Sequence, residues 1–544
     1  MSNKDQFSLH YAEELSGQYD CTDRLVLNAY NPMLMGGGGM RIFWRKLKGS
    51  DAGLNTAALM RFAGVVSKRV NCFCKEKGIP FIHYQSGERK HEEAEKLYPT
   101  DESVEGIFAV FCSRASAMLW EVREFGNGGM DIRRKEKPSL VNHYYFHIKD
   151  RQWGHVCIRM SAHPPFGCMI MLNGHEWVSN SESVASLELK KESNCFTSYN
   201  NGDKLSLVAD TLKQQGQLEL VCQRWIYGCL WFALDYEAQG RVGFNYRFSV
   251  YQVEYSRNFL FKSGCQLDAV YQYLIDLTRN RIDIDRLKTI LGRKNRPRNT
   301  KSHASAPEVA VQTPDYNLTV FKINVGKLTF KLYDKGERTL RAEVVVHNSK
   351  ALGCKKSLPY FEEMVGKLEG LMGNFMNNIT YAHRIFIDDG TLEGLSEPSQ
   401  KGKKRLAGVK LTNKRDVAVM ESVLGLALHP YGFGANEIRE TMQKKGFKDY
   451  KVSNARYDMR KLREKSLIEK IKGKQKSRIT KAGIYTLAAA LCIWKQEMKP
   501  MLAAVCKENI NQDCKEIVEL EKKMIEARNI IKELSALYGV KFAA

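Results

Sequence analysis

The chain has 544 residues, of which 43% are hydrophobic and 10% aromatic, and its 84 Lys and Arg against 61 Asp and Glu give a net charge of +23. This composition is typical of a globular protein with several cores and excludes an intrinsically disordered chain. The first residues contain no apolar signal segment, and no run of about 18 apolar residues occurs. We therefore expect a cytoplasmic, multidomain α+β protein that does not enter a membrane, with its 14 cysteines reduced.

Residues 1–292 are predicted to form one large α+β domain. Apolar periodicity indicates helices at 57–77, 205–212 and 217–234, while strand patterns occur at 79–84, 106–112, 117–122 and 248–261. The run Gly36 to Gly39 is interpreted as a flexible turn before a strand at 41–44, because no Gly-Lys-Ser/Thr follows it. Glu254 and Arg257 are expected to form a buried ion pair, and the alternative is that they are groups of a functional site.

A first candidate catalytic pair follows the strand at 79–84. Glu88 and Lys90 form a Glu-x-Lys motif, in which a carboxylate can hold Mg²⁺ or Mn²⁺ and an amine can position the attacking water of a nuclease. The alternative is a solvated turn that leads into a charged helix.

A second candidate site lies between residues 141 and 178, which hold five of the 12 histidines: His143, His147, His155, His163 and His175. His143 and His175, with Asp150 and Glu176 as acidic partners, are candidates for catalysis or metal binding. A straight strand would separate His143 from His147 by about 13 Å, so these two cannot share one metal. The alternative is that the histidines tile a half-buried aromatic sheet.

The middle of the chain is predicted to form a smaller domain between two linkers. Residues 293–315 form a basic linker, 316–388 a small α+β domain with strands at 318–323, 328–333 and 340–346, and 389–415 a second linker rich in Gly, Ser and Lys.

Residues 416–500 resemble a winged helix, which is a nucleic-acid-binding fold. Helices at 416–428, 435–442 and 454–464 precede a hairpin at 467–480, and Ser453 is the expected N-cap of the third helix. The third helix and the hairpin tip, or wing, carry the candidate nucleic-acid-binding residues Asn454, Arg456, Tyr457, Arg460, Lys461, Lys472, Lys474, Lys476 and Arg478.

The positive charge is concentrated in the same region. Residues 401–500 hold 25 Lys and Arg against 9 Asp and Glu, which is a net +16 of the total +23. Such a field is the footprint expected of phosphate contact and favours DNA as the partner, with RNA as the second choice. The alternative is a protein-protein module with a solvated basic face.

Residues 501–544 are predicted to form an amphipathic helix. Its apolar residues follow heptad spacing across 517–538, so this helix either forms a homodimer or packs on its own chain.

Three motifs carry a resemblance that covers most of the chain. HYYF at 143–146, LNGHEW at 172–177 and RAEVVVHN at 341–348, together with the C-terminal winged helix, resemble a widespread group of uncharacterised bacterial proteins. The stretch 330–343 is also similar to rolling-circle replication initiators, although His143-x-x-x-His147 departs from their His-hydrophobe-His metal motif. These resemblances support the domain layout and imply no catalytic residues.

We therefore expect a nucleic-acid-binding protein of mobile-element type. The enzyme hypothesis is cutting or joining of phosphodiester bonds, as in a metal-dependent nuclease, transposase or replication initiator. The alternative is a non-catalytic transcriptional regulator or an RNA-binding ribonucleoprotein scaffold. The sequence does not decide whether a guide RNA is bound.

Overall fold

The computed structural model describes residues 5–85, 90–125, 129–192, 194–214, 216–281, 308–312, 320–335, 338–383, 392–401, 404–498, 523, 526, 529, 530 and 533. Candidate residue Glu88 and the heptad residues of the predicted dimer helix at 517–538 lie outside this part of the chain.

The chain is mixed α/β, as expected, and its strands are long in the N-terminal half and short in the C-terminal part. The strands are β1 (Leu15–Tyr30), β2 (Phe81–Tyr84), β3 (Gly106–Ala117), β4 (Trp120–Glu124), β5 (Met130–Arg134), β6 (Ser139–Asp150), β7 (Gly154–Ser161), β8 (Cys168–Asn173), β9 (Lys190–Glu192), β10 (Cys195–Ser198), β11 (Arg247–Phe261), β12 (Glu308–Gln312), β13 (Val320–Val325), β14 (Leu328–Asp334), β15 (Thr339–Val346), β16 (Ser399–Lys401), β17 (Lys404–Leu406), β18 (Ile468–Lys470) and β19 (Ser477–Ile479).

The helices surround the strands and build the C-terminal part. They are α1 (Gln6–His10), α2 (Gly37–Lys48), α3 (Thr56–Lys77), α4 (Lys90–Lys96), α5 (Gly174–Ser179), α6 (Gly202–Asp210), α7 (Gln217–Leu230), α8 (Tyr236–Val242), α9 (Gly264–Arg281), α10 (Phe361–His383), α11 (Glu393–Ser396), α12 (Lys414–Leu426), α13 (Ala435–Lys444), α14 (Val452–Glu464) and α15 (Lys481–Cys492), and a π-helical turn, Ile493–Met498, follows α15.

One eleven-stranded sheet organises the molecule. Its order is β12-β13-β14-β15-β11-β1-β8-β7-β6-β3-β2. Neighbouring strands are antiparallel except β2 and β3, which are parallel. The long strands β1 and β11 pair along their whole length near the middle of the sheet.

The sheet crosses the boundary expected between residues 1–292 and 316–388. β15 pairs directly with β11, so β13 to β15 extend the N-terminal sheet and do not form a small domain of their own. β12 lies inside the stretch predicted as a linker and pairs with β13. A basic linker shows where the chain leaves a core, but its composition does not show which strand edge the next strands will join.

The two faces of the sheet differ in polarity near β15. Leu340, Ala342 and Val344 are buried on the face covered by α10, where Phe330 of β14 packs against Phe375 with ring centroids 5.3 Å apart. The alternate residues of β15 point to the opposite face, because successive side chains of a strand alternate. That opposite face carries a buried polar network.

Two local predictions in the N-terminal region are wrong. Residues 41–44 belong to helix α2 and not to a strand. The glycines before them allow close packing, because a Cβ on Gly37 would lie 1.9 Å from the carbonyl oxygen of Ile132. The expected hairpin between 106–112 and 117–122 is also absent from the described residues, where β4 pairs with β5 instead.

The C-terminal part has its own hydrophobic core, built from α12 to α15 and the β18–β19 hairpin. Leu395 and Val409 belong to this core. The C-terminal unit therefore spans residues 392–498 and begins before the expected boundary at 416. Residues 389–415, predicted as a linker, contribute α11 and the β16–β17 hairpin to it.

Among the residues placed by the structure, no helix combines the length and apolarity that crossing a membrane requires.

Candidate nucleic-acid interface and carboxylate cluster

The C-terminal unit combines three helices with a short sheet. Helices α12, α13 and α14 are followed by the β18–β19 hairpin, and Phe433 adds a bridge to this hairpin through Ser477. The backbone N–H of each bridge residue donates to the carbonyl oxygen of the other at 2.8 Å. This bridge holds the tip of the hairpin beside the start of α13.

Helix α14 buries one face and exposes the other. Ala455, Met459 and Leu462 are buried in the core at i, i+4 and i+7 spacing. Arg456 and Arg460 are exposed and make no hydrogen bond or ion pair with any residue that the structure describes. These two guanidinium groups are therefore available to a ligand.

The start of α14 and two of its predicted contact residues differ from expectation. The N-cap is Lys451 and not Ser453, and Asn454 accepts a hydrogen bond from the Lys451 N–H at 3.0 Å. Tyr457 is half-buried, and its hydroxyl oxygen accepts from the N–H of Ala407 at 3.3 Å. Asn454 and Tyr457 thus have structural roles in the C-terminal unit.

Lys461 is the one predicted contact residue that the structure buries. Its side chain is 6% exposed, and Nζ lies 3.0 Å from Oδ1 of Asp416. The prediction that it faces outward is wrong, because helical periodicity does not show which flank of α14 packs against α12.

A groove lies between α14, the start of α13 and the hairpin. Its volume is about 810 Å³. Its lining is strongly basic, with side chains of Arg456, Arg460, Arg463, Lys470, Lys474 and Lys476. Arg463 and Lys470 were missed in the sequence, although Arg463 continues the i, i+4, i+7 spacing of Arg456 and Arg460 on the helix.

The four predicted cations of the hairpin fall into two pairs. Lys472 and Lys474 are exposed at the tip. Lys476 Nζ lies 2.7 Å from Oε1 of Glu437, and Arg478 Nε lies 2.5 Å from Oε1 of Glu469. Although burial acts in the opposite direction, the hydrogen bond from Lys476 lowers the pKa of Glu437. The tip therefore offers more unneutralised charge than the base of the hairpin.

Among the described residues, the five histidines do not come together as one metal-binding group, although Nδ1 of His147 lies 2.9 Å from Nε2 of His155. His143 is buried, with Nδ1 3.3 Å from the carbonyl oxygen of Val141, and burial followed by the charge of Arg159 lowers its pKa to about 4. Asp150 accepts from Trp225 Nε1 at 2.7 Å and from Arg224 at 3.0 Å. These bonds give Asp150 a structural role, which fits the alternative of histidines tiling a sheet.

The adjacent candidates His175 and Glu176 point to different partners at the start of α5. Glu176 forms an ion pair with Lys191 at 2.5 Å. His175 is fully buried, with Nδ1 2.9 Å from Oδ1 of Asp23 and Nε2 3.2 Å from the hydroxyl of Tyr19. Through Asp23, His175 leads to a group of carboxylates that the sequence analysis did not identify.

Asp23, Glu254 and Glu343, here called the carboxylate cluster, each offer an oxygen within 4.8 Å of the others. They lie on the neighbouring strands β1, β11 and β15. The pairing of β1 with β11 shifts register between Thr22 and Leu25, and Asp23 lies within this shift. The three residues are far apart in sequence, and the available signal was an acidic residue inside each strand, Asp23 beside Asp20 in β1, Glu254 in β11 and Glu343 in β15.

Two cations lie against the carboxylate cluster. Arg341 is fully buried and forms an ion pair with Asp23, and it donates through Nη1 to the carbonyl oxygen of Asn194 at 2.7 Å. Its Nε has no acceptor among the described residues. Lys331 Nζ lies 3.1 Å from Oε2 of Glu343.

The surroundings shift the pKa values of the Glu254 and Glu343 carboxyl groups in opposite directions. Burial and the neighbouring charge of Glu343 raise the pKa of Glu254. Burial also disfavours ionisation of Glu343, but Lys331 and Arg341 together hold its pKa below the usual value. Carboxylate oxygens at this spacing are ligands that Mg²⁺ or Mn²⁺ prefers. Asp23, Glu254 and Glu343 are therefore the residues that could hold a divalent cation.

The expected pair of Glu254 with Arg257 is wrong. The two residues are three positions apart on β11, so their side chains point to opposite faces. Arg257 pairs with Asp20 at 2.6 Å and with Asp5. Glu254 accepts from Gln252 at 2.8 Å.

Two of the sequence motifs meet at the carboxylate cluster. LNGHEW contributes His175, and RAEVVVHN contributes Arg341 and Glu343. HYYF lies on β6, several strands away in the sheet. Of the earlier Glu-x-Lys pair, Lys90 is the first residue of α4.

Comparison of the chain with models of known protein families, with curated proteins and with solved structures gives no match.

Proposed function

We propose that residues 416–498 of the C-terminal unit form a winged helix and that the protein binds duplex DNA through it. The observation that carries this proposal is the pair of free guanidinium groups, Arg456 and Arg460, on the exposed face of α14. The major groove of DNA accepts an α-helix, and arginine is the side chain that most often reads guanine there.

The surroundings of these arginines support the proposal. The groove beside α14 is lined by further cations, and the hairpin tip carries exposed Lys472 and Lys474. A recognition helix next to a basic hairpin suits simultaneous contact with bases and with phosphates. Within residues 401–500 the net charge of +16 is large enough to attract a polyanion.

The test is DNA binding by the full-length protein carrying Arg456→Ala and Arg460→Ala. Random-sequence duplexes, titrated by fluorescence anisotropy over a series of salt concentrations, report affinity and the number of phosphate contacts. We expect weaker binding. The plot of log K against log salt should become shallower by about one unit for each of the two arginines that contacts a phosphate, and should keep its slope for one that contacts a base edge.

Lys444 and Lys448 supply the matched control. Both are exposed cations of the C-terminal unit, Lys444 at the last residue of α13 and Lys448 in the turn after it, and neither lines the groove. Replacing both by Ala removes the same charge and should leave affinity close to that of the unaltered protein. If both double variants lost the same affinity, the interaction would be a general attraction between charges. If the Arg456, Arg460 variant lost none, α14 would not be the contact surface. Tighter binding to a structured RNA than to duplex would favour the alternative of a ribonucleoprotein scaffold.

A second function, cutting or joining phosphodiester bonds in a mobile element, is favoured by the carboxylate cluster. Three carboxylates lie within 4.8 Å of one another beside Lys331 and beside a buried arginine with an unused donor, Nε of Arg341. A divalent cation held there would supply Lewis-acid activation of a phosphodiester. Lys331 would face the negative charge of the phosphate, while the fully buried Arg341 would stay paired with Asp23. A nuclease, transposase or replication initiator would use this combination, whereas a transcriptional regulator would not.

Metal binding tests this second function separately from cleavage. Isothermal titration with Mn²⁺ should show a site that is lost in Glu254→Gln and Glu343→Gln and retained in Glu176→Gln, whose carboxylate pairs with Lys191 outside the cluster. Because the pKa of Glu254 is raised, protons compete with the cation up to a higher pH than at an ordinary glutamate, and affinity should rise with pH through that pKa. Mn²⁺ binding without nicking of supercoiled DNA would leave only a metal site. Nicking abolished by Glu88→Ala, but not by Glu254→Gln, would return the activity to the Glu-x-Lys motif.

A further inference from the structure

Helix α14 has a basic hairpin on each of its two flanks. The groove side is formed by residues such as Arg456 and Arg463, which lie close together around the helix axis at 100° per residue. Tyr457 is turned about 100° from Arg456, and it contacts the other hairpin, β16–β17, through the Ala407 N–H. The exposed face of α14 therefore lies between the β18–β19 and β16–β17 hairpins.

The β16–β17 hairpin is fixed to the C-terminal unit. Leu406, the last residue of β17, is buried, and the N–H of Val409 donates to the carbonyl oxygen of Leu395 at 2.8 Å. The N–H of Lys410 donates to Oδ2 of Asp416 at 2.9 Å. These bonds connect the hairpin to α11 and α12, so its position relative to α14 is set by the core.

The segment is also strongly basic. Residues 399–410 contain five Lys and Arg and no Asp or Glu. Arg405 and Lys410 are exposed, and neither side chain makes a hydrogen bond or ion pair with the residues described. A strand and its following segment that are bonded to the core and carry unpaired cations beside a DNA-reading helix fit the phosphate backbone of a duplex better than an apolar protein partner.

We infer that residues 404–410, which are strand β17 and the segment that follows it, form a second arm of the DNA interface, in which Arg405 and Lys410 hold the phosphate backbone on the flank of α14 away from the β18–β19 hairpin. This inference rests on the proposed DNA binding by α14. The arm contacts no bases. It adds affinity and salt dependence but leaves sequence preference unchanged.

The experiment uses two double variants of the full-length protein. One carries Arg405→Glu and Lys410→Glu, and the other carries Arg456→Ala and Arg460→Ala. Each is titrated with a random-sequence duplex of about three helical turns, ~30 bp. The Arg405, Lys410 variant should bind several-fold more weakly, with a salt slope reduced by about 2. Lys444→Glu with Lys448→Glu makes the same change of charge outside the arm and should bind as the unaltered protein does.

The two failures are distinguishable. If the Arg405, Lys410 variant equals the unaltered protein while the Arg456, Arg460 variant loses affinity, the arm is refuted and the winged helix remains. If neither variant loses affinity, the proposed function fails. A loss of equal size in the Lys444→Glu, Lys448→Glu variant would also overturn the arm, because it would assign the effect of the two cations to general attraction. The conservative pair Arg405→Lys with Lys410→Arg keeps the charge and should bind as the unaltered protein does.

Discussion

Arg460 and Lys461 are neighbours on α14, yet their charged groups meet different surroundings. Arg460 is exposed and lines the groove, whereas the ammonium of Lys461 lies 3.0 Å from Asp416 inside the core. A buried ion pair gains little over well-packed apolar residues, but removing one partner leaves the other charge uncompensated. Replacing Arg460 by Ala should therefore lower DNA affinity, whereas replacing Lys461 by Ala should lower stability.

Lys461→Ala should destabilise the C-terminal unit by about 3–5 kcal/mol, because the Asp416 carboxylate stays buried without its ammonium. Urea denaturation followed by circular dichroism measures the loss. Lys461→Met combined with Asp416→Leu should recover most of it. If Lys461→Ala kept full stability but weakened DNA binding, the outward orientation predicted from the sequence would be the correct one.

Replacing Glu254 or Glu343 by Gln should change the stability of the protein in opposite directions. Since the folded-state pKa of Glu254 is raised, its contribution to stability is present below the unfolded pKa of about 4.3 and is lost as pH rises through the folded value. Glu343 has a lowered pKa, so its stabilisation is present at neutral pH and is lost as pH falls. At pH 7, Glu254→Gln should stabilise the protein and Glu343→Gln should destabilise it.

The measurement is the free energy of unfolding between about pH 4 and pH 8, with the unaltered protein as reference. The difference between Glu254→Gln and the reference should shrink toward the acid end, where both side chains are neutral. A stability difference independent of pH would show that Gln changes packing and not charge. If the carboxylate cluster holds Mn²⁺, added Mn²⁺ should make the unaltered protein more stable than the Glu254→Gln variant.

At the scale of secondary-structure elements, the β18–β19 hairpin carries exposed cations at its tip and ion-paired cations at its base. Its tip presents Lys472 and Lys474 to solvent, while Lys476 is engaged by Glu437 and Arg478 by Glu469. A lysine already paired with a carboxylate must break that pair before it contacts a phosphate. The tip should therefore contribute more to DNA binding than the base.

Lys472→Ala with Lys474→Ala should weaken binding to all duplex sequences alike and lower the salt slope by about 2. Lys476→Ala with Arg478→Ala removes the same formal charge and should have a smaller effect. Competition titrations with several unrelated duplexes measure both affinity and preference. A change in sequence preference in the tip variant would mean that the hairpin reads bases.

The helices of the C-terminal unit could be placed from their apolar spacing, because Ala455, Met459 and Leu462 form a single buried stripe. Periodicity located α14 but could not show that Lys461 meets α12, since that contact depends on how two helices pack. The glycines at the start of α2 resembled a turn, because the close approach of Gly37 to Ile132, which is remote in sequence, leaves no local signal. The carboxylate cluster could not be predicted, because strand order brings Asp23, Glu254 and Glu343 together.

At the scale of the whole molecule, the sheet makes the N-terminal region depend on residues after 308. β11 pairs with β1 on one edge and with β15 on the other. A chain that ends at residue 281 therefore lacks β12 to β15 and leaves β11 as an edge strand. It also lacks α10, whose Met364 and Leu368 are buried in the main core.

A fragment of residues 1–281 should aggregate on expression, whereas residues 1–383, which complete the sheet and include α10, should remain soluble and cooperatively folded. Size-exclusion chromatography and thermal unfolding distinguish the two outcomes. If 1–281 were monomeric and unfolded cooperatively, β12 to β15 would form an accessory layer and the boundary near residue 292 would be a true domain boundary.

The pairing of β11 with β15 also has a consequence for synthesis on the ribosome. β11 is complete at Phe261, but β15 begins only at Thr339. At ~5–20 residues per second, the nascent chain waits roughly 4–16 s with a long, unpaired strand edge exposed. Chaperones that shield extended segments are expected to associate with the chain during this interval. A synonymous codon change that slows translation between these two strands would lengthen the exposure without altering a single residue.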